Sequence, residues 1–124
     1  MAEAFANHYG SDVLSAASAG LSPISHVARD TVRVMAEKNV DVSSHVPQLY
    51  DPRETVKFDL IVNLSGLTLP GIPSDHLLEW KVADPYRSSI EKYQATRDEV
   101  ERLVMKLILD LRRQSEPKAK KRKV

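Results

Sequence analysis

The chain has 124 residues, 42% of them hydrophobic and 28% charged, the composition of one ordinary globular domain with enough apolar material for a core. It contains no cysteine, which excludes disulfide scaffolds, Cys-ligated zinc or iron–sulfur centres and a thiol nucleophile within these residues. The formal charge of +1, from 18 Lys and Arg against 17 Asp and Glu, gives no general attraction to nucleic acid or to anionic membranes.

Met1–Tyr9 reads as a helix, with Met1, Ala4, Phe5 and His8 on one face and Gly10 as its C-terminal stop. Val13–Ser18 is a short strand candidate of small residues, closed by Gly20 and the Ser22-Pro23 turn signal. His26–Lys38 has helical periodicity, placing Ala28, Val32, Met35 and Ala36 on one stripe, and Asn39 follows as a left-handed cap. Asp41–Thr55 is turn-rich and holds two prolines, so a loop with a short helical turn is expected.

Phe58–Leu64, FDLIVNL, is nearly continuous apolar sequence, the pattern of a strand buried on both faces of a parallel sheet. A loop over Ser65–Ser74 separates it from a third strand candidate, Leu77–Val82, in which Glu79 and Lys81 suit a half-exposed edge. The last element is a helix over Thr96–Arg113. Val100, Leu103, Val104, Leu107, Ile108 and Leu111 repeat at helical spacing, and Thr96 and Glu99 form a capping box ahead of them. Lys118, Lys120, Lys121, Arg122 and Lys123 then form a basic tail; residues 1–117 without it carry 13 bases against 17 acids. This gives a domain over 1–114 and a disordered tail over 115–124. The tail resembles a nuclear import signal, but a solvated basic end with at most weak contact to nucleic acid is the reading preferred.

Alternating helices and strands imply crossover connections and a three-layer α/β/α parallel sheet. Only three strands are available, and the chain opens on a helix with no strand before it. No apolar run approaches the ~20 residues of a membrane span and no signal-peptide pattern opens the chain, so a cytoplasmic protein is expected.

Ligands of open α/β sheets sit beyond the carboxyl ends of the strands. The best candidate there is Asp84-Pro85-Tyr86, directly after the third strand. Asp84 can serve as a general acid, Pro85 fixes its backbone and Tyr86 can wall a pocket; alternatively Asp-Pro simply breaks the strand and opens a turn. His8, His26, His45 and His76 have no metal-ligand spacing, and no phosphate-binding glycine motif or nucleophile elbow occurs. No cofactor is implied.

From Met1 to about Arg113 the chain resembles the low-molecular-weight protein tyrosine phosphatase family, including its thioredoxin-coupled arsenate reductase branch. The resemblance is carried by MAEAF at the start, Ser18-Ala19-Gly20, VDVSSH at Val40–His45, FDLIVNL, EWKVADPY at Glu79–Tyr86, and TRDEVERLV at Thr96–Val104. It implies a four-stranded parallel sheet. In the family, a loop holding a Cys, five residues and an Arg wraps a phosphate or arsenate, the thiolate attacks it, and an Asp after the fourth strand protonates the leaving oxygen. By resemblance that Asp is Asp84, and Tyr86 lines the substrate pocket.

The departure lies at the nucleophile. In the family a strand and the Cys-to-Arg loop precede the segment matching Met1–Phe5, and the reductase branch has a cysteine pair in the loop where this chain has Ser65. The expectation is an inactive chain, whose parent is a phosphatase or arsenate reductase read from a late start. The alternative is a non-catalytic binding or regulatory member of the family. Oxyanion or phosphotyrosine binding is expected only with the loop restored. The absent first strand would lie between Val13–Ser18 and Phe58–Leu64, so those two either pair directly or are covered in a homo-oligomer.

Overall fold

The computed structural model describes residues 1–21 and 28–123, with 115–123 as backbone alone. The described residues form three helices, α1 (Ala2–Gly10), α2 (Arg29–Ala36) and α3 (Ile90–Lys123), and two short strands, β1 (Ile61–Asn63) and β2 (Leu77–Glu79). The strands pair in parallel, Ile61 with Leu77 and Asn63 with Glu79, as the α/β reading required. Short 3-10 turns at Pro52–Lys57 and Ser74–His76 lead into them.

The core forms where α1 and α2 pack on α3. Phe5 and Ala6 of α1, Met35 of α2, Val40 and Val42 beyond it, and Val100, Val104 and Ile108 of α3 make one buried cluster. The i, i+4, i+8 spacing of the last three puts them on one stripe of α3. Aromatic stacking of Phe5 on Tyr9, ring centroids 5.9 Å apart, stiffens the apolar face of α1. Two polar ties fix the outer edges. The Tyr9 hydroxyl donates to Glu101 at 2.8 Å, and Arg112 forms an ion pair with Asp12 at 2.9 Å.

Several sequence expectations need correction. Gly10 is not a left-handed stop; it is the last helical residue of α1, followed by Ser11 at φ −61°. Its role is close approach, because a Cβ there would lie 2.7 Å from both Cγ1 and Cδ1 of the fully buried Ile108. Gly10→Ala therefore exchanges a gain of about 1 kcal/mol in helix propensity for about 1–3 kcal/mol of overpacking. A net loss of about 0–2 kcal/mol is expected from urea melts; a stabilised variant would contradict this packing.

Val13–Ser18 forms no strand. Asn7 occupies it instead, donating from Nδ2 to the Ala16 carbonyl at 3.0 Å and accepting from the Ala16 amide at 2.9 Å. One side-chain amide thus takes the place of a neighbouring strand's peptide group, and with no strand alongside, a ladder cannot propagate. Direct pairing with FDLIVNL is also not seen among the described residues, where the sheet has two strands and one isolated bridge joins Gly20 to Leu49.

Asn39 does adopt the left-handed conformation, at φ 60°, and the Val40 amide reaches back to the Met35 carbonyl to close α2. The expected start of α2 at His26 and the Ser22-Pro23 turn fall outside the described residues. Helix α3 begins at Ile90, not Thr96. Ser89 caps it through its hydroxyl, and Thr96, inside the helix, donates instead to the Ala83 carbonyl at 3.3 Å. The backbone of α3 stays helical to Lys123; the side chains of the basic tail, for which disorder was expected, lie outside the described residues. No helix among the described residues is long and apolar enough to cross a membrane.

Candidate functional site

Because β1 and β2 run parallel, the segments following both leave at the same end of the sheet, where α/β proteins hold their ligands. After β1, Asn63 shapes the exit. It is 5% exposed; its Oδ1 accepts from the Ser65 amide at 3.0 Å and the Ser65 hydroxyl at 2.7 Å, while Nδ2 donates to the Leu67 carbonyl at 2.6 Å. Gly66 then turns the chain at φ 77°. Ser65 is thus held in the turn by its own neighbours.

After β2 comes Asp84-Pro85-Tyr86. Asp84 is exposed, and its Oδ1 accepts from the Tyr86 amide at 3.0 Å. This is the Asx turn that Asp-Pro sequences favour, and it points one carboxylate oxygen along the backbone. The Ser88 amide bonds the Pro85 carbonyl at 2.8 Å, Arg87 takes a left-handed φ of 62°, and its guanidinium lies 5.4 Å from the centre of the Tyr86 ring. The structure therefore places Asp84 and Tyr86 in one tight turn beyond the carboxyl end of β2.

What holds that turn was not foreseen. Tyr93 of α3 is 3% exposed; burial pushes its phenol above the usual value, and a hydrogen bond from the Arg87 backbone partly offsets this. With the Thr96 bond to Ala83, α3 therefore grips the turn from both sides. An aromatic three residues into a helix reads as core in the sequence, so nothing marked its polar tip.

A second polar cluster lies at the start of α1. Glu3 accepts from the Ser18 hydroxyl at 2.7 Å through Oε1, and His45 Nδ1 stands 3.6 Å from Oε2. An Asx turn sets His45 in place: Asp41 accepts from the hydroxyl and the amide of Ser43, which hold its carboxyl below the usual range. Two open hollows of about 400 and 440 Å³ share Glu3, Ser44 and His45 in their walls, and neither is lined by Asp84 or Tyr86. Sequence reasoning gave these residues no role, since they come from segments far apart in the chain.

The order of groups in this cluster decides its chemistry. In a Ser-His-acid arrangement imidazole stands between hydroxyl and carboxylate, so that the base takes the proton and the acid orients the base. Here the carboxylate is in the middle. Ser18 and His45 each face Glu3, so Ser18 does not meet the imidazole and the arrangement is not that of a Ser-His-acid triad. The cluster ties α1 to the Ala16–Ser18 and Ser44–His45 segments instead. Among the described residues no group of three or more His, Asp or Glu could hold a metal ion.

Comparison with known proteins places this arrangement. The family described as low molecular weight phosphotyrosine protein phosphatase matches residues 1–117. The chain is 30% identical to a glutaredoxin arsenate reductase of Synechocystis sp. over 115 residues, spanning 87% of this chain and 85% of that protein. A solved arsenate reductase in its phosphate-binding state superposes with a TM-score of 0.79 at 25% identity, over 89% of this chain and 86% of its own. A solved protein tyrosine phosphatase superposes with a TM-score of 0.77 at 21% identity, over 89% and 84%, which shows a shared fold.

Proposed function

We infer what this chain does from one premise, that it belongs to the low molecular weight phosphotyrosine protein phosphatase family. The family's chemistry divides into a thiolate that attacks the oxyanion and an acid that protonates the departing oxygen. These 124 residues contain no cysteine, so the attacking half is absent from them. The acid half is Asp84. It is exposed, carried on a turn anchored by Tyr93 and Thr96, and set beyond the end of a parallel strand, the placement that proton donation to a leaving group needs. Tyr86 beside it, 47% exposed, offers an aromatic wall for a substrate ring.

The chain is accordingly a family domain that is catalytically silent by itself, and the chemistry of the relatives it matches is phosphoester hydrolysis or thiol-dependent arsenate reduction. A single observation carries this reading, the zero cysteine count within a family match that spans nearly the whole sequence. A carboxylic acid without a nucleophile has no bond-breaking step to assist, so Asp84 contributes nothing measurable here.

Initial rates with an aryl phosphate, and with arsenate plus a thiol reductant, test the proposal. The unmodified chain should not exceed the buffer rate, and Asp84→Ala should be indistinguishable from it. Hydrolysis above background that is lost in Asp84→Ala would require a nucleophile within these residues and would overturn the proposal.

A further inference from the structure

The basic run of α3 lies beyond the family match, which stops at residue 117. Within Lys118–Lys123 five of six residues are cationic and none is acidic, whereas residues 1–117 carry 13 bases against 17 acids. Positive charge is thus gathered on one short segment joined to an acidic body. The join is helical, because the backbone of α3 continues unbroken to Lys123.

Helix stability does not account for this run. Earlier on α3 the cations are offset one turn away, Arg102 by Glu99 and Arg113 by Asp110. A helix C-terminus favours cations, but only over its last turn. In the run, Lys118 and Arg122 are four positions apart and Lys120 and Lys123 three, spacings at which like charges repel along a helix. Glu116 has the spacing to offset Lys120 alone. The acidic body is of little help. Arg112 ties α3 to the Asp12 side chain and the Tyr9 carbonyl, each at 2.9 Å. Lys118 follows six positions later, about 9 Å further along the helix axis, which is about one Debye length at physiological salt.

We propose that Lys118–Lys123 binds the phosphodiester backbone of nucleic acid, weakly at physiological salt and without sequence preference. A duplex carries about one negative charge per 1.7 Å of axis, and each Lys or Arg that meets a phosphate releases a condensed counterion. That neutralisation removes the repulsion built into the run. Ala119 is its only uncharged residue, so the run has no aromatic side chain to stack on bases and no large apolar one to anchor in a bilayer. The acidic body repels a polyanion and confines the contact to this segment.

Fluorescence anisotropy of short labelled DNA and RNA duplexes, titrated with the full chain over a range of salt, tests the assignment. Two variants accompany it, Lys121→Gln alone and one in which Lys118, Lys120, Lys121, Arg122 and Lys123 are all replaced by Gln, a residue that keeps helix propensity. With five phosphate contacts the logarithm of the binding constant should fall against log salt with a slope of about −4.5, roughly 500-fold between ~50 and ~200 mM. Lys121→Gln should make that slope shallower by about 1. The fully substituted variant should not bind, and DNA and RNA duplexes of unrelated sequence should bind alike. Absence of binding at low salt, binding retained by the fully substituted variant, or a slope shallower than about −2 would each overturn the proposal. So would a marked preference for one sequence, or tighter binding to poly-glutamate or to phosphatidylserine vesicles.

Discussion

Phe5→Ala is expected to remove about 3–5 kcal/mol of stability, a large share of what a domain of this size has to lose. Phe5 is fully buried and is a member of the one apolar cluster where α1 meets α3. Its ring also stacks on Tyr9 at 5.9 Å, and that contact goes with it. The effect is large because α1, with nine residues, is too short to persist as an isolated helix and exists only while docked. Its loss should propagate. Glu3 lies on the same helix, so Ser18 and His45 would lose their shared carboxylate, and the Asn7 amide would leave Ala16. Urea midpoints with Phe5→Leu as the size-conserving control check this. A loss under about 1 kcal/mol for the alanine variant would show that α1 is not held by its apolar face.

Arg97→Met is the second. Arg97 is 8% exposed and is the buried polar link between α2 and α3, donating to the Val34 carbonyl at 3.1 Å, to Glu37 and to Asp98. Two of these partners are exposed carboxylates that water can take over, so their ion pairs contribute little. The Val34 carbonyl is different. Val34 is fully buried, and an acceptor left without its donor there costs about 1–3 kcal/mol. A loss of about 2 kcal/mol is therefore expected, with little coupling to Glu37→Gln in a double-mutant cycle.

The pH dependence gives an independent check. Hydrogen bonds from Gln94 and then Arg97 hold the Glu37 carboxyl below its ordinary value of 4.5. A depressed folded-state value means that this stabilisation is complete above 4.5 and fades as the pH falls through the folded value. In Arg97→Met that acid-side fall should become only slightly shallower, because Gln94, the larger cause, still holds the carboxyl. An unchanged slope would mean that Gln94 alone sets the Glu37 carboxyl.

The parts of the fold that could be read in the sequence are those where one segment carries its own signal. The stripe Val100, Val104, Ile108 is buried as its spacing required, and Asn39 is left-handed where a helix had to stop. The turn at Asp84 and Tyr86 was legible because Asp-Pro after a strand is a local turn signal, and it lies beyond the carboxyl end of β2. Features decided by distant partners were missed. Thr96 and Glu99 look like a capping box, yet Ala83 claims the Thr96 hydroxyl and Ser89 supplies the cap. Val13–Ser18 has the residues of a strand, but strand formation needs a neighbour, and the Asn7 amide takes that place. Gly10 reads as a helix stop until Ile108 is seen against it. The Glu3, Ser18 and His45 cluster joins three segments with no spacing rule between them.

The central claim is that these 124 residues, which contain no thiol, do not attack an oxyanion. Its most direct test is intact-protein mass spectrometry after incubation with an aryl phosphate and rapid acid quench, which registers a covalent phosphoryl intermediate whether or not it turns over. The unmodified chain should show no added phosphoryl group at any time point. A phosphoryl adduct that forms with the native fold, disappears after thermal unfolding and maps to a single side chain, Ser18 included, would contradict the claim.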